Sequence, residues 1–212
     1  MPIARDLPGA TAFIVGGGPS AALADLGRLR GHPVVVINRS FDLVPWADVL
    51  FFADSRCWRW YKDGFESFAG RVVTVYERTP LPVYPARFEQ YRKARPPLLS
   101  RDPNALALAR TSMTGAINYL TLRGAARIVI LGLDGKASPG PDGKLRTHHH
   151  APHPRPPAPG GWDKHGRELR GILPCLRDLG VEVVNASPGS ACDAFPVLTL
   201  DEALGRPLAR AA

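Results

Sequence analysis

The chain has 212 residues, 45% of them hydrophobic, and a formal net charge of +8. That length suits one domain with a sizeable core, and the longest apolar runs, such as Ile128-Val-Ile-Leu131, are far too short to span a bilayer. Three isolated cysteines, Cys57, Cys175 and Cys192, have neither metal-ligand spacing nor the look of a disulfide framework, and the N-terminus has no secretory pattern, so a reduced, cytoplasmic protein is expected.

In chain order, Ala12–Val15 reads as a strand and Ser20–Arg30 as a helix. Strands follow at Pro33–Ile37 and Asp48–Ala53, a helix at Ser55–Phe68, and a strand at Arg71–Tyr76. A proline-rich, basic stretch then runs to about residue 104. Ser112–Leu122 reads as a helix, Arg127–Leu131 as a strand, and Gly135–Gly161 as a long polar loop. The segment Trp162–Leu179 is helical in pattern, with Pro174 expected to kink it or end it early. Val181–Val184 is the sixth strand and Leu200–Leu204 a short last helix. Continuous apolar strands alternating with helices predict an α/β fold: one Rossmann-like domain with a mostly parallel sheet of about six strands and helices on both faces.

The first strand breaks into Gly16-Gly17-Gly18-Pro19-Ser20. Glycines let backbone approach a ligand, Pro19 suits a first helical turn, and amides at a helix N-terminus face an anion. The spacing is neither the dinucleotide fingerprint nor a Walker loop. A phosphate cradle and a tight structural turn are the two readings.

Other strand ends repeat the pattern. Asn38 closes the second strand, where an amide can read a base or ribose, or simply close a turn. Asp54 ends the third strand and reads as a ribose or metal contact, or as a helix cap. Thr111-Ser112 precedes an apolar helix, as an anion site or an ordinary cap. Asp134 ends the fifth strand and with Asp54 could take Mg²⁺. Asn185 ends the last strand. In a parallel sheet all these ends share one edge, and that convergence weighs more than any one motif.

The loop holds His148-His149-His150 and His153. Such a cluster suits acid–base work or phosphate contact, could bind zinc, or is a loose polar loop. The positive charge fits a nucleic-acid partner or a merely arginine-rich composition, with 22 arginines against 5 lysines. No oligomeric state follows from the sequence.

The ordered set IVGGGPS, VVVINRS, WADVLFFAD, TSMTGAINYL, IVILGLDGK, HHHAPHP and VEVVNASPGSACDAFP resembles a family of small phage and prophage proteins over roughly residues 11–200. Those proteins are distantly similar to bacterial sialyltransferases that use CMP-sialic acid, to motility-associated glycosyltransferases, and to archaeal hydroxymethylpterin diphosphokinases. The resemblance implies a nucleotide held by the Gly16–Ser20 turn, Asn38 and Ser112, with Asp134 in the shared Gly-x-Asp and His148 or His153 as catalytic base. The chain departs from that pattern at Gly17 (usually Asn), Met113 (usually Gly) and Pro152 (often acidic). Three functions are therefore expected to compete. One is a transferase using a nucleotide-sugar donor and a hydroxyl acceptor. Another is an ATP- and Mg²⁺-dependent diphosphokinase-like enzyme. The third is a phage accessory protein that binds nucleotide or nucleic acid without chemistry.

Overall fold

The computed structural model describes residues 1–77, 84–154 and 160–205. In chain order the elements are β1 (Thr11–Val15), β2 (Val34–Ile37), β3 (Val49–Phe51), α1 (Ser55–Ser67), β4 (Arg71–Tyr76), β5 (Glu89–Ala94), β6 (Ala105–Ala107), α2 (Ser112–Arg123) and β7 (Arg127–Leu131). There follow a small hairpin of β8 (Ser138–Pro139) and β9 (Leu145–Arg146), then α3 (Gly161–Gly171), α4 (Leu173–Asp178), β10 (Glu182–Asn185) and α5 (Leu200–Gly205). Eight strands form one parallel sheet in the order β10-β7-β1-β2-β3-β4-β5-β6.

Both sheet faces are covered, which is why the strands read as unbroken apolar runs. Alternate residues point to opposite faces. Ala12 and Ile14 pack with Ile117 and Leu120 of α2, Leu169 of α3 and Leu176 of α4. Phe13 and Val15 pack on the other side with Cys57 and Phe65 of α1 and Ala203 of α5. No helix among the described residues is long and apolar enough to cross a membrane.

The predicted α/β class and parallel sheet hold, but with eight strands rather than six. The two extra strands, β5 and β6, extend the sheet beyond β4, the first inside the stretch read as proline-rich and basic and the second just after it. β5 has the sequence EQYRKA, and among its side chains only Tyr91 is buried, so polarity hid it. β6 is three residues long, too short to show a period. The predicted helix 20–30 is two 3-10 turns, Pro19–Leu23 and Leu26–Leu29. Their break has a local cause: Ala24 lies in extended backbone, and Asp25 is not helical either. The predicted helix 162–179 is divided at Ile172, with Pro174 in the first turn of α4, where a missing N–H costs nothing. Of the 135–161 loop, residues 155–159 lie outside the described residues, as do 78–83 of the basic stretch.

Beside the edge strand, Arg71 makes two hydrogen bonds to Glu89, 2.6 and 2.9 Å, and the Tyr91 hydroxyl donates a third at 2.8 Å. Burial pushes the Glu89 carboxyl up, but these donors outweigh it and hold it below its ordinary 4.5. A carboxylate depressed in the folded state contributes stability above its unfolded pKa and loses it as pH falls through the folded one. Glu89→Gln is therefore expected to be less stable than the parent at pH 7. The gap should begin to narrow as pH falls below 4.5 and close only once Glu89 is protonated in the folded state as well, as urea unfolding at several pH values would show.

Candidate functional site

The chain leaves β1 toward β2 and returns through α2 to β7 on β1's other side. The strand order therefore reverses between β1 and β7, and open α/β sheets hold ligands outside the carboxyl ends at such a switch point. A cavity of about 890 Å³ lies there. Gly16–Gly18 line it from β1, Asn38 from β2, Asp54 from the end of β3, Arg110–Ser112 from the start of α2, and Asp134 and Lys136 from the β7 loop. His148, His150 and His153 form part of its wall, with Trp60 of α1 and Trp162 and Lys164 of α3. A larger, more open cleft of about 1030 Å³ sits at the opposite sheet edge, between residues such as Arg30, Trp46, Arg71 and Arg123. Its arginines are engaged: Arg71 with Glu89, Arg123 with Asp6, Arg87 with the Phe65 and Glu66 carbonyls, and Arg30 over the Trp46 ring. The switch-point cavity is therefore the candidate site.

The glycine turn serves the fold first. The Gly16 amide donates to Leu131 O at 2.7 Å and the Gly18 amide to Gly132 O at 3.0 Å. The Ser20 amide donates to Asp134 Oδ2 at 3.1 Å. A Cβ on Gly18 would stand 2.3 Å from that carboxylate oxygen and 2.7 Å from Gly132 O. Gly16 and Gly18 are small because the β1 and β7 turns touch. Gly17 is different: its only neighbour within 4 Å of a Cβ is the His148 ring edge, and its amide makes no hydrogen bond among the described residues.

Of the sequence-predicted residues, Gly16, Gly17, Gly18, Asn38, Asp54, Thr111, Ser112, Asp134, His148 and His153 share this cavity, whereas Pro19, Ser20 and Asn185 do not line it. Asn185 is fully buried and donates to Leu133 O at 3.1 Å, bracing the β7 loop. Asp54 caps α1 through the Arg56 amide, 2.8 Å, and is ion-paired to the Arg56 guanidinium. Although burial raises the Asp54 carboxyl, Arg56 holds it below the ordinary value. Asp134 is buried against the Ser20 amide. Each carboxylate thus has its own partner, and neither belongs to a cluster of metal-ligating side chains among the described residues. An ion held between the two would have to displace these partners.

Asn38 sits at φ 52°, a left-handed conformation that asparagine tolerates better than most residues. Its Oδ1 is buried without a hydrogen-bond partner. Asn38 lines the cavity while this oxygen is turned away from it, so a small rotation of the amide would bring an unmet acceptor to a ligand donor.

Thr111 Oγ1 caps α2 by accepting from the Met113 amide at 3.2 Å. Glu168 of α3 holds the preceding turn, accepting from the Ala109 and Arg110 amides at 3.0 and 2.5 Å. The side chains of Arg110, Lys136 and Lys164 have no ion-pair partner among the described residues, and the cavity is lined by more cations than carboxylates, Asp163 among the latter, so its lining is net positive.

The histidine loop is fastened to the sheet. The His149 amide donates to Gly17 O at 3.0 Å, and its ring meets Ser40 Oγ at 3.2 Å. His153 Nδ1 lies 2.5 Å from the Tyr61 hydroxyl, and its ring stacks on Trp60. Burial, reinforced by neighbouring histidines, pushes His148 and His150 down to about 4, and burial also lowers His153. These imidazoles are neutral at pH 7.

No protein-family model, curated protein or solved structure matches the chain. Its site is read from geometry alone.

Sequence reasoning did not single out Arg110, Lys136, Lys164, Trp60, Trp162, Tyr61 or Glu168. The run Arg110-Thr111 offered a signal, a cation directly before a predicted helix start. Nothing local marks Trp162 as a partly exposed ring facing a cavity.

Proposed function

We propose that the chain binds a nucleotide-activated donor, a nucleotide sugar, in the switch-point cavity and transfers the sugar to an acceptor hydroxyl. The observation that carries this reading is the pairing of a cationic wall with the unmet Asn38 acceptor across one cavity of ligand size. Arg110, Lys136, Lys164 and the Ser112 end of α2 face the phosphates. The Gly17 amide offers a further donor. Asn38 Oδ1 accepts from the base or ribose, and Trp162 supplies an aromatic face. In the transfer, the acceptor oxygen bonds to the anomeric carbon, the bond from that carbon to phosphate oxygen breaks, and the nucleotide leaves. A cavity histidine takes the hydroxyl proton. His153, fixed by Tyr61, is better suited to this than His148, whose low basicity makes it a weak acceptor.

The test is a thermal-shift panel with CMP, UDP, GDP, ADP and ATP, each with Mg²⁺ or with EDTA. A ligand at a hundred times its Kd stabilises the folded state by about 2.7 kcal/mol. The expected result is a shift with CMP or UDP that survives EDTA. Asn38→Gly should weaken that shift at least fivefold in apparent Kd while leaving the unliganded Tm close to the parent, because glycine accepts the same φ. A shift with ATP and Mg²⁺ alone would overturn the reading in favour of phosphoryl transfer. A shift with oligonucleotides and with no mononucleotide would overturn it in favour of nucleic-acid binding.

A further inference from the structure

We infer that His148, His150 and His153 form a binding site for one borderline divalent cation of the zinc type, with its remaining coordination position open to the switch-point cavity. One ring nitrogen from each lies within 4.8 Å of those of the other two, and all three rings line the cavity. They are the only such group of histidine, cysteine or acidic side chains among the described residues.

The donor set selects the metal class. Three imidazoles with no carboxylate favour zinc, cobalt or nickel over Mg²⁺ or Ca²⁺, which take oxygen ligands. Three protein ligands and one free position are the pattern of catalytic rather than structural zinc sites. Tetrahedral bonds of about 2.1 Å would place the nitrogens about 3.4 Å apart, so the rings need to draw together by about an ångström, within the reach of small side-chain rotations.

The outer shell is already in place. His150 Nδ1 lies 2.7 Å from the Ala151 carbonyl oxygen. A carbonyl only accepts, so the proton is on Nδ1 and the Nε2 lone pair is left for a metal. His153 Nδ1 meets the Tyr61 hydroxyl at 2.5 Å, and His148 Nδ1 meets Thr147 Oγ1 at 3.0 Å. Metal-ligating histidines are oriented in this way, by an oxygen partner on the second ring nitrogen. The two cations that bear on these rings are both paired, Arg39 to Asp42 at 2.6 Å and Arg56 to Asp54, which reduces their repulsion of a bound ion.

A run of three histidines could also catch metal as a flexible tag does, and the fold separates the two modes. His149 sits in the middle of the run, yet its ring turns away to Ser40 and it is not one of the clustered three. A tag would use it as readily as its neighbours.

The inference stands on its own residues and does not depend on nucleotide binding; with an ion on its free nitrogen, His153 would no longer take the acceptor proton, and a water on the open coordination position would supply the base. The test uses the full chain, stripped with EDTA, desalted and free of any affinity tag. It is titrated with Zn²⁺ against a chromogenic chelator and with Co²⁺ while the visible bands are recorded. The expected result is one ion per chain, with a cobalt spectrum of four-coordinate type. His150→Ala and His153→Ala should each weaken zinc binding by more than tenfold. Tyr61→Phe should weaken it by about 10–100-fold through loss of the ring's partner. His149→Ala should leave it unchanged, with circular dichroism confirming that each variant is folded. Zinc held equally well by the His150 and His153 variants, or weakened as much by His149→Ala, would overturn the inference. Because the titration contains no nucleotide, failure of the donor reading leaves its outcome unaffected.

Discussion

Gly18→Ala is expected to destabilise the protein by about 2–4 kcal/mol, the cost of overpacking plus a disturbed buried hydrogen bond. The demand at this position is for space and not for a special backbone shape. Gly18 has φ −67° and ψ 152°, which any residue adopts. An added Cβ would meet Asp134 Oδ2 at 2.3 Å and Gly132 O at 2.7 Å. Gly132 O is itself held, accepting from the Gly18 amide at 3.0 Å. Asp134 would have to leave the Ser20 amide, breaking the tie between the β1 and β7 turns. Gly17→Ala is the matched control. Its Cβ would meet only the His148 ring edge at 3.2 Å, so a cost below about 1 kcal/mol is expected. Urea unfolding followed by tryptophan fluorescence measures both. Equal stability of the two variants would mean that the glycine turn is not packed as described.

Asn118→Ala is expected to cost about 3 kcal/mol, because it strands several polar groups at once. Asn118 lies fully buried on α2. Its Oδ1 accepts from the Ser100 amide at 2.9 Å and the Ala107 amide at 2.8 Å, and its Nδ2 donates to Ser100 O at 3.0 Å. One side chain thereby serves the backbone of the 95–104 connection and of the edge strand β6. Truncation leaves two amides and a carbonyl unpaired, and water reaches them only by opening that edge. Hydrogen exchange should quicken first at Ser100 and Ala107, while β1 and β7 stay protected. Because β6 runs directly into Arg110 and the start of α2, the nucleotide shift should weaken as well. Uniformly faster exchange across the whole sheet would show that Asn118 is no local clasp.

Where burial is two-sided, the sequence was legible. The central strands are continuous β-branched and aromatic runs because both faces of the sheet are covered, and that same fact makes their ends findable. Once the sheet is parallel, the residues following those strands must share an edge. The strand pattern alone therefore puts Gly16, Asn38, Asp54 and Asp134 together, and all four line the cavity. Thr111 as a cap and Pro174 as an interruption are local effects, readable from neighbours in sequence.

The remainder depended on partners distant in the chain. β5 is a strand despite its charges because Arg71 of β4 neutralises Glu89 and because its other neighbour is a strand, facts about pairing and not about EQYRKA. The turn Gly16–Ser20 looked like a free anion cradle, but its Ser20 amide is taken by Asp134, 114 residues away in sequence. The histidines show the same division most clearly. Composition alone announced four of them between positions 148 and 153. Only the tertiary structure assigned His149 to Ser40 and His153 to Tyr61, and gathered His148, His150 and His153 on one cavity wall. Sequence by itself determined the sheet and the edge on which function gathers, because burial and periodicity are local in the chain. Which polar groups are already spent, and which remain open to a ligand, was decided by contacts between segments that periodicity does not record.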